Sequence, residues 1–165
     1  APLPVTLVVA LPRPPTLKKV IEAGVSLGIK RLVFIQSNRV EKSYWQSPVL
    51  DEANLLQHVY RGLEQARDTV MPEIEFRRRF KPFVEDELPV LAGGTRCLLA
   101  HPQGGPCPRC SQRALTVAIG PEGGFIPYEV DALSRAGFEK ISLGPRILRV
   151  EYAVAAFVGC LMSCS

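Results

Sequence analysis

Short apolar runs alternate along the chain with segments in which apolar residues recur every three or four positions. The runs are typical of buried strands, and the segments are typical of helices that pack one face against a core. Six strands are predicted, at Val5–Ala10, Arg31–Gln36, Glu73–Phe76, Arg96–Ala100, Leu115–Ile119 and Lys140–Leu143.

Four helices are predicted in the intervals between these strands. The first opens at Pro14-Pro15-Thr16, with Thr16 as its N-cap, and ends at Gly28. The others run over about Asp51–Thr69, Pro127–Ala136 and about Glu151–Cys164. Strands that alternate with helices predict an α/β fold, with a mostly parallel sheet and helices on both faces. Loops are predicted at Ser37–Val49 and His101–Arg113, and a soft boundary at Pro82–Pro89.

The composition is that of a globular protein, with 47% hydrophobic and 22% charged residues, which excludes a disordered tail or a rod. A length of 165 residues predicts one domain, 1–165. Five cysteines, an odd number, favour a reducing compartment over a disulfide framework. The longest apolar stretch, Ala153–Met162, is far short of the roughly 20 residues of a membrane span, and no signal peptide is recognised. We therefore expect a cytoplasmic protein without a membrane partner.

The charge is unevenly distributed. The net charge is +4, and all of that excess lies in residues 1–80. A basic half favours a surface for an acidic partner such as nucleic acid. A solvated face that binds nothing is the alternative.

Two Gly-Pro loops follow predicted strands at their carboxyl ends. Ile119–Phe125 reads IGPEGGF, and Leu143–Arg149 reads LGPRILR. Ligands of open α/β sheets bind at these strand ends, so the loops predict a site walled by backbone with arginines at its edge. Tight structural turns are the alternative. Neither loop is a Walker loop or a GxGxxG fingerprint, which argues against a nucleotide-binding domain.

Residues 118–151, which contain both loops, resemble the C-terminal signature of the ribosomal RNA small-subunit (uracil-N3)-methyltransferases of the SPOUT superfamily. The resemblance runs from about Val5 to Met162. Upstream it includes Ser37-Asn38-Arg39 with Lys42, Glu64-Gln65-Ala66-Arg67 with Pro72, and Leu98-Leu99-Ala100-His101-Pro102.

The resemblance implies a deep trefoil knot in the C-terminal half, made by the segments that end at His101, Gly120 and Gly144. It further implies an S-adenosylmethionine pocket in the loops of the knot, and a homodimer formed through the last helix. The substrate implied is 16S ribosomal RNA of the small ribosomal subunit. The expected cofactor-binding residues are Leu98, His101, Ile119, Gly120, Glu122, Gly123, Gly124, Leu143, Gly144, Ile147 and Leu148.

Methylation of uracil N3 requires that nitrogen to lose its proton, and a cation near O2 or O4 would stabilise the resulting anion. Arg149 and Arg146 are the candidates, and Glu151 could orient Arg149 or accept a proton. The candidate contacts to substrate RNA are Arg39, Arg67, Arg77 and Arg78.

Two departures from the family pattern keep alternatives open. The N-terminal RNA-binding barrel of the family is missing, so we interpret the chain as a fragment or a processed chain. Val150 and Tyr152 replace two threonines that the family usually carries. The alternatives are an RNA-binding or ribosome-assembly module without catalytic activity, and a SPOUT methyltransferase with another RNA target.

Two smaller predictions concern cysteines and the last helix. Four residues have a spacing compatible with zinc binding: Cys97, His101, Cys107 and Cys110. His101 already belongs to the strand assigned to the cofactor site, so no metal is predicted. The last helix is apolar on all sides over Tyr152–Val158, so it should bury one side in its own core and another against a second copy. Phe157 is expected at that second contact.

Overall fold

One sheet organises the molecule, for which a computed structural model describes residues 1–109 and 113–163. Its six strands are ordered β3-β2-β1-β5-β4-β6, and every neighbouring pair among them is parallel. The predicted α/β class and all six predicted strands are confirmed. The strands are β1 Leu3–Ala10, β2 Ile29–Ile35, β3 Glu73–Arg77, β4 Arg96–Pro106, β5 Leu115–Ile119 and β6 Glu139–Ser142.

The helices follow the predicted order with shifted ends. Thr16 is not an N-cap; it is buried within the first helix, because Pro14 and Pro15 already provide the fixed backbone angle of a first turn and Arg13 takes the cap position. The main helices are α1 Pro14–Ser26, α2 Glu52–Ala66, α5 Pro127–Arg135 and α6 Val150–Met162. Cys164, the predicted end of the last helix, lies outside the described residues.

Two segments predicted as loop or boundary contain helical turns. Short 3₁₀ turns at Lys42–Gln46 and Pro48–Leu50 connect β2 to α2. The predicted soft boundary at Pro82–Pro89 is wrong, because Phe83 and Leu88 are each only 1% exposed and pack into the core. This segment consists of α3 Phe80–Pro82, a π turn at Phe83–Glu87 and α4 Leu88–Leu91.

Helices cover both faces of the sheet, as the continuous apolar strands predict. Leu7 and Val9 belong to one core cluster together with apolar residues of α1, α2 and α6. Val8, between them, belongs to a second cluster with residues of α5 and the 80–91 segment. This alternation follows from the two-residue side-chain period of a strand.

The strand order brings the carboxyl ends of β4, β5 and β6 together. β5 lies between β1 and β4, and β6 lies on the far side of β4. Because all these strands are parallel, their carboxyl ends lie at one edge of the sheet, where the carboxyl half of β4 meets the loops after β5 and β6. The knot implied by the resemblance stays a prediction. Among the described helices, none has the length and apolar character needed to cross a membrane.

One face of α6 packs on the core and another is open to solvent. Val154, Val158 and Leu161 are buried, whereas Tyr152 is 59% exposed. Phe157 is 5% exposed and belongs to the core cluster, so its expected place at a contact between copies is wrong. The solvent-facing residues of α6 are Tyr152, Ala155, Ala156 and Gly159.

Candidate functional site

A cavity of about 460 Å³ lies where the carboxyl half of β4 meets the loops after β5 and β6, and is called the site cavity below. The start of α6 and the side chain of Arg39 complete its wall. The structure brings together ten of the eleven residues predicted to bind a cofactor: His101, Ile119, Gly120, Glu122, Gly123, Gly124, Leu143, Gly144, Ile147 and Leu148.

Leu98 is the predicted residue that does not line the site cavity. It is fully buried in the core cluster that includes α6, and it pairs with Val117 inside the sheet. β4 continues past the predicted end, so its later residues Ala100–Gln103 form the wall instead. The assignment of Leu98 is therefore corrected to a core position.

Both Gly-Pro loops contain a glycine in the left-handed region that other residues avoid. Gly124 has φ +78° and Gly144 has φ +124°. The amide of Gly124 donates to the Pro121 carbonyl at 2.8 Å, which closes a turn. The Ser142 hydroxyl accepts from the Gly144 amide at 3.1 Å, which closes the other loop. Glycine is needed at both positions because a Cβ atom would strain the backbone.

His101 is held as a neutral ring in the wall of the site cavity. Its Nδ1 accepts a hydrogen bond from the Gln103 amide at 3.1 Å, so the neutral ring carries its proton on Nε2. Burial lowers the pKa of His101 below its usual range, and the positive charge of Lys140 lowers it further. At neutral pH the ring therefore offers a hydrogen-bond donor without a charge.

The three predicted catalytic residues are only partly brought together. Arg146 is exposed and lines the site cavity. Arg149 is exposed as the N-cap residue of α6, but it is not part of the cavity wall. Glu151 is 8% exposed, and its Oε1 lies 3.9 Å from Nζ of Lys19 on α1. Among the described residues Lys19 is the ion-pair partner of Glu151, in place of the predicted Arg149.

The predicted RNA-contacting arginines occupy different edges of the sheet. Arg39 lines the site cavity, and its Nη1 donates to the Gly123 carbonyl. Arg67 ends α2 with φ 52°, beside the start of β2, where Lys30 and Asp68 form an ion pair at 2.6 Å. Because α2 runs antiparallel to the strands, Arg67 lies at the opposite edge from the site cavity.

Arg77 ends β3 and Arg78 follows it, at the same sheet edge as the site cavity, and both already have partners. The Nε of Arg77 lies 2.7 Å from a carboxylate oxygen of Glu87, and this bond raises the pKa of Arg77 above its usual range. The guanidinium of Arg78 lies 5.2 Å from the ring centre of Trp45, a cation–π contact. Trp45 is 8% exposed, so it is a packing residue and not an open stacking platform for a base.

Sequence reasoning missed Glu129, a buried carboxylate on α5, the helix that follows the first Gly-Pro loop. It is 3% exposed, and its Oε2 accepts from the Asn38 amide at 2.8 Å. Its Oε1 accepts from the Ile126 amide at 3.0 Å. A glutamate three residues after a helix cap is a recognisable capping signal, but the bond to Asn38 has no local signature.

Among residues 1–109 and 113–163, the cysteines and the histidine of this spacing do not assemble around one point. Cys97 packs against one core cluster and Cys107 against the other, on opposite faces of the sheet. Burial, together with a contact to Cys160, raises the pKa of Cys107 to about 12, whereas metal binding requires a thiolate. Cys110, the remaining candidate ligand, lies outside the described residues.

The chain is similar to a known family over nearly its whole length. A family model described as RNA methyltransferase domain matches residues 1–162. The ribosomal RNA small subunit methyltransferase E of Treponema pallidum is 29% identical over 158 residues, covering 93% of this chain and 59% of that protein. The protein of the same name from Synechocystis is 31% identical over 167 residues, covering 92% of this chain and 50% of that protein. The chain thus spans only about half to three fifths of these relatives.

Solved structures share the fold. The ribosomal RNA small subunit methyltransferase E of Neisseria gonorrhoeae, bound to S-adenosylmethionine, has a TM-score of 0.76 at 23% identity, covering 96% of this chain and 65% of that one. The SpoU methyltransferase AviRb of Streptomyces viridochromogenes has a TM-score of 0.58 at 15% identity, covering 93% of this chain and 56% of that one. The family match over residues 1–162, on a fold shared with these methyltransferases, confirms the resemblance: the chain belongs to the RNA methyltransferase domain family.

Proposed function

We propose that this chain binds S-adenosylmethionine in the site cavity and methylates N3 of a uridine in 16S ribosomal RNA. The observation that carries the proposal is that both Gly-Pro loops and a cationic side chain, Arg146, line one cavity at the carboxyl ends of parallel strands. The names of the relatives supply the reaction class.

The residues present fit this cofactor. A volume of about 460 Å³ lies within the usual range of roughly 300–1,000 Å³ for small-molecule sites. Ile119, Leu143 and Leu148 supply apolar wall, as a purine ring requires. A Cβ on Gly144 would have no described atom within 4 Å, so the backbone there is open to a ligand. When bound, S-adenosylmethionine supplies the electrophilic methyl group.

The chain's own task is then to hold a uracil and favour loss of its N3 proton. Arg146, in the cavity wall, can donate to a uracil carbonyl and stabilise the imide anion. Arg149 is three residues away and can add a second pair of donors. The ion pair of Glu151 with Lys19 joins the first turn of α6 to α1, which steadies the backbone that carries Arg149. The N3 proton would leave to solvent. N3 would then bond to the methyl carbon as the methyl–sulfur bond breaks, with S-adenosylhomocysteine as the leaving group.

A homodimer, working on ribosomal RNA in the cytoplasm, is part of the proposal. Tyr152, Ala155, Ala156 and Gly159 form a solvent-facing stripe of aromatic and small residues on α6. Ile147, just before α6, is 87% exposed and is a further apolar side chain in contact with water. A second copy on this stripe would bury apolar area that is otherwise in contact with water.

Two measurements on the chain test the proposal. Calorimetry reports S-adenosylmethionine binding, and mass spectrometry locates any methyl group added to unmethylated 16S ribosomal RNA. N3-methyluridine supports the proposal. A methyl group on another base supports a different RNA target. Cofactor binding without methylation, or no cofactor binding, contradicts the enzyme and favours an RNA-binding or assembly module.

A further inference from the structure

The side chain of Arg39 is held over the site cavity by a contact to Gly123. Its Nη1 donates to the Gly123 carbonyl. A Cβ added to Gly123 would lie 3.0 Å from Cδ of Arg39, so the aliphatic stem lies directly on the glycine. The guanidinium is otherwise exposed, and it stands at the mouth of a cavity for which we propose an RNA substrate.

The backbone beside Arg39 is held by Glu129. One carboxylate oxygen accepts from the Asn38 amide at 2.8 Å, and the other accepts from the Ile126 amide at 3.0 Å. Asn38 follows β2, whereas Ile126 follows the loop of β5, and β1 separates these two strands in the sheet. Glu129 therefore joins two loops that the hydrogen bonds of the sheet do not connect.

We infer that Glu129 is a positioning residue that places Arg39 at the site cavity for contact with RNA. The inference rests on the proposed function, because it takes RNA as the partner of Arg39. A carboxylate suits the task because it has two acceptor oxygens and its bonds to amides are charge-assisted. At 3% exposure the side chain does not touch RNA itself.

The direction in which Glu129→Gln changes RNA affinity distinguishes a positioning role from a simple effect of charge. Glu129→Gln removes a negative charge near a polyanion, which by itself would strengthen RNA binding. The substitution also replaces one acceptor by an amide donor, so one of the two backbone amides loses its partner. If Glu129 positions Arg39, RNA binding weakens in spite of the favourable change in charge.

The experiment compares the chain with Glu129→Gln, Arg39→Met and the double variant. Affinity for in-vitro transcribed 16S ribosomal RNA and for S-adenosylmethionine is measured, with melting temperature as the folding check. We expect RNA affinity to fall five- to tenfold in each single variant and no further in the double variant, with cofactor affinity within twofold. Asp131→Asn is the matched control, since Asp131 is exposed on the same helix and should not weaken RNA binding.

Several results would overturn the inference. If Glu129→Gln lowers RNA affinity by the same factor in the parent chain and in the Arg39→Met variant, its effect is a general structural one. If Glu129→Gln leaves RNA binding unchanged or makes it tighter, Glu129 does not position Arg39. If Glu129→Gln does not fold, Glu129→Asp, which keeps the charge but shortens the reach, replaces it in the same cycle. Failure of the proposed function would instead appear in the parent chain, as absent cofactor binding or methylation.

Discussion

Gly104 passes so close to Ile141 that no side chain fits between the two backbones. A Cβ atom on Gly104 would lie 2.4 Å from the carbonyl carbon of Ile141. The approach occurs where the extended end of β4 passes β6, at a register shift between Ala100 and Gly105. This contact holds the extended end of β4 against β6, and residues of both strands line the site cavity.

We therefore expect Gly104→Ala to destabilise the fold strongly. Overpacking against backbone costs up to about 3 kcal/mol, which corresponds to a melting temperature about 6–12 °C lower for a chain of this size. Gly105→Ala is the matched control, since its Cβ would have no described atom within 4 Å. Thermal unfolding of both variants checks the prediction, and equal melting temperatures would contradict it.

The left-handed backbone at Gly124 should matter for cofactor binding. Holding an alanine at position 124 in the left-handed conformation costs about 1–2 kcal/mol. The free loop of the Gly124→Ala variant is therefore expected to relax to another conformation, from which ligand binding must restore it. We expect S-adenosylmethionine affinity to fall about tenfold. Gly94→Ala is the control, because Gly94 has a similar φ of +77° but precedes β4, outside the cavity wall. Calorimetry should find normal cofactor affinity in the Gly94 variant; a loss of the same size there would contradict a local effect.

Catalysis should depend on the planar two-donor head of an arginine in the 146–149 segment. Arg149→Lys keeps the charge but loses that geometry, and we expect single-turnover methylation to fall by about 10²-fold. The melting temperature should not change, because Arg149 is exposed and has no hydrogen bond or ion pair from its side chain to a described residue. Arg146→Lys is measured beside it. Near-normal turnover of the Arg149 variant, with a loss in the Arg146 variant, would contradict the second pair of donors and leave the role to Arg146 alone.

Stability should depend on pH through His101. Burial and Lys140 lower its pKa below the ordinary 6.5, so the unfolded chain binds the proton more readily than the folded one. The contribution of His101 to the free energy of unfolding is fully present above about pH 6.5. It is lost as the pH falls through the lowered pKa of the folded state. His101→Asn keeps an acceptor for the Gln103 amide but does not titrate. Its melting temperature should fall less below pH 6.5 than that of the parent chain; parallel curves would contradict the prediction.

The solvent-facing stripe of α6 should carry the contact between two copies. Ala156→Glu places a charge on this stripe, and we expect sedimentation to show monomers where the parent chain forms dimers. Phe157→Ala is the contrasting variant, because Phe157 lies in the core and its truncation costs about 3–5 kcal/mol of stability. A parent chain that sediments as a monomer at micromolar concentration would contradict the dimer.

Residue patterns were sufficient for the strands, for most of the helices and for the loops of the site cavity. Strands buried on both faces need continuous apolar runs, so β1, β2 and β5 are visible in the sequence without knowledge of their neighbours. The Gly-Pro loops are equally local, because left-handed backbone requires glycine at Gly124 and Gly144. The N-cap predicted at Thr16 is a local error. Pro14 and Pro15 start the helix before Thr16, so the capping preference of its hydroxyl group does not decide where the helix begins.

The pairings between distant residues were decided only by the tertiary structure. Glu129 bonds to an amide 91 residues away, Glu151 pairs with Lys19 on α1, and Gly104 touches Ile141. Arg39 and Arg67 were both predicted to contact RNA because both lie in segments that resemble the family. The direction of α2 nevertheless places Arg67 at the opposite edge of the sheet from Arg39. Spacing along the chain determines which residues share a strand or a helix face. Strand order and crossover direction determine which of those faces meet, and these depend on the packing of the whole core.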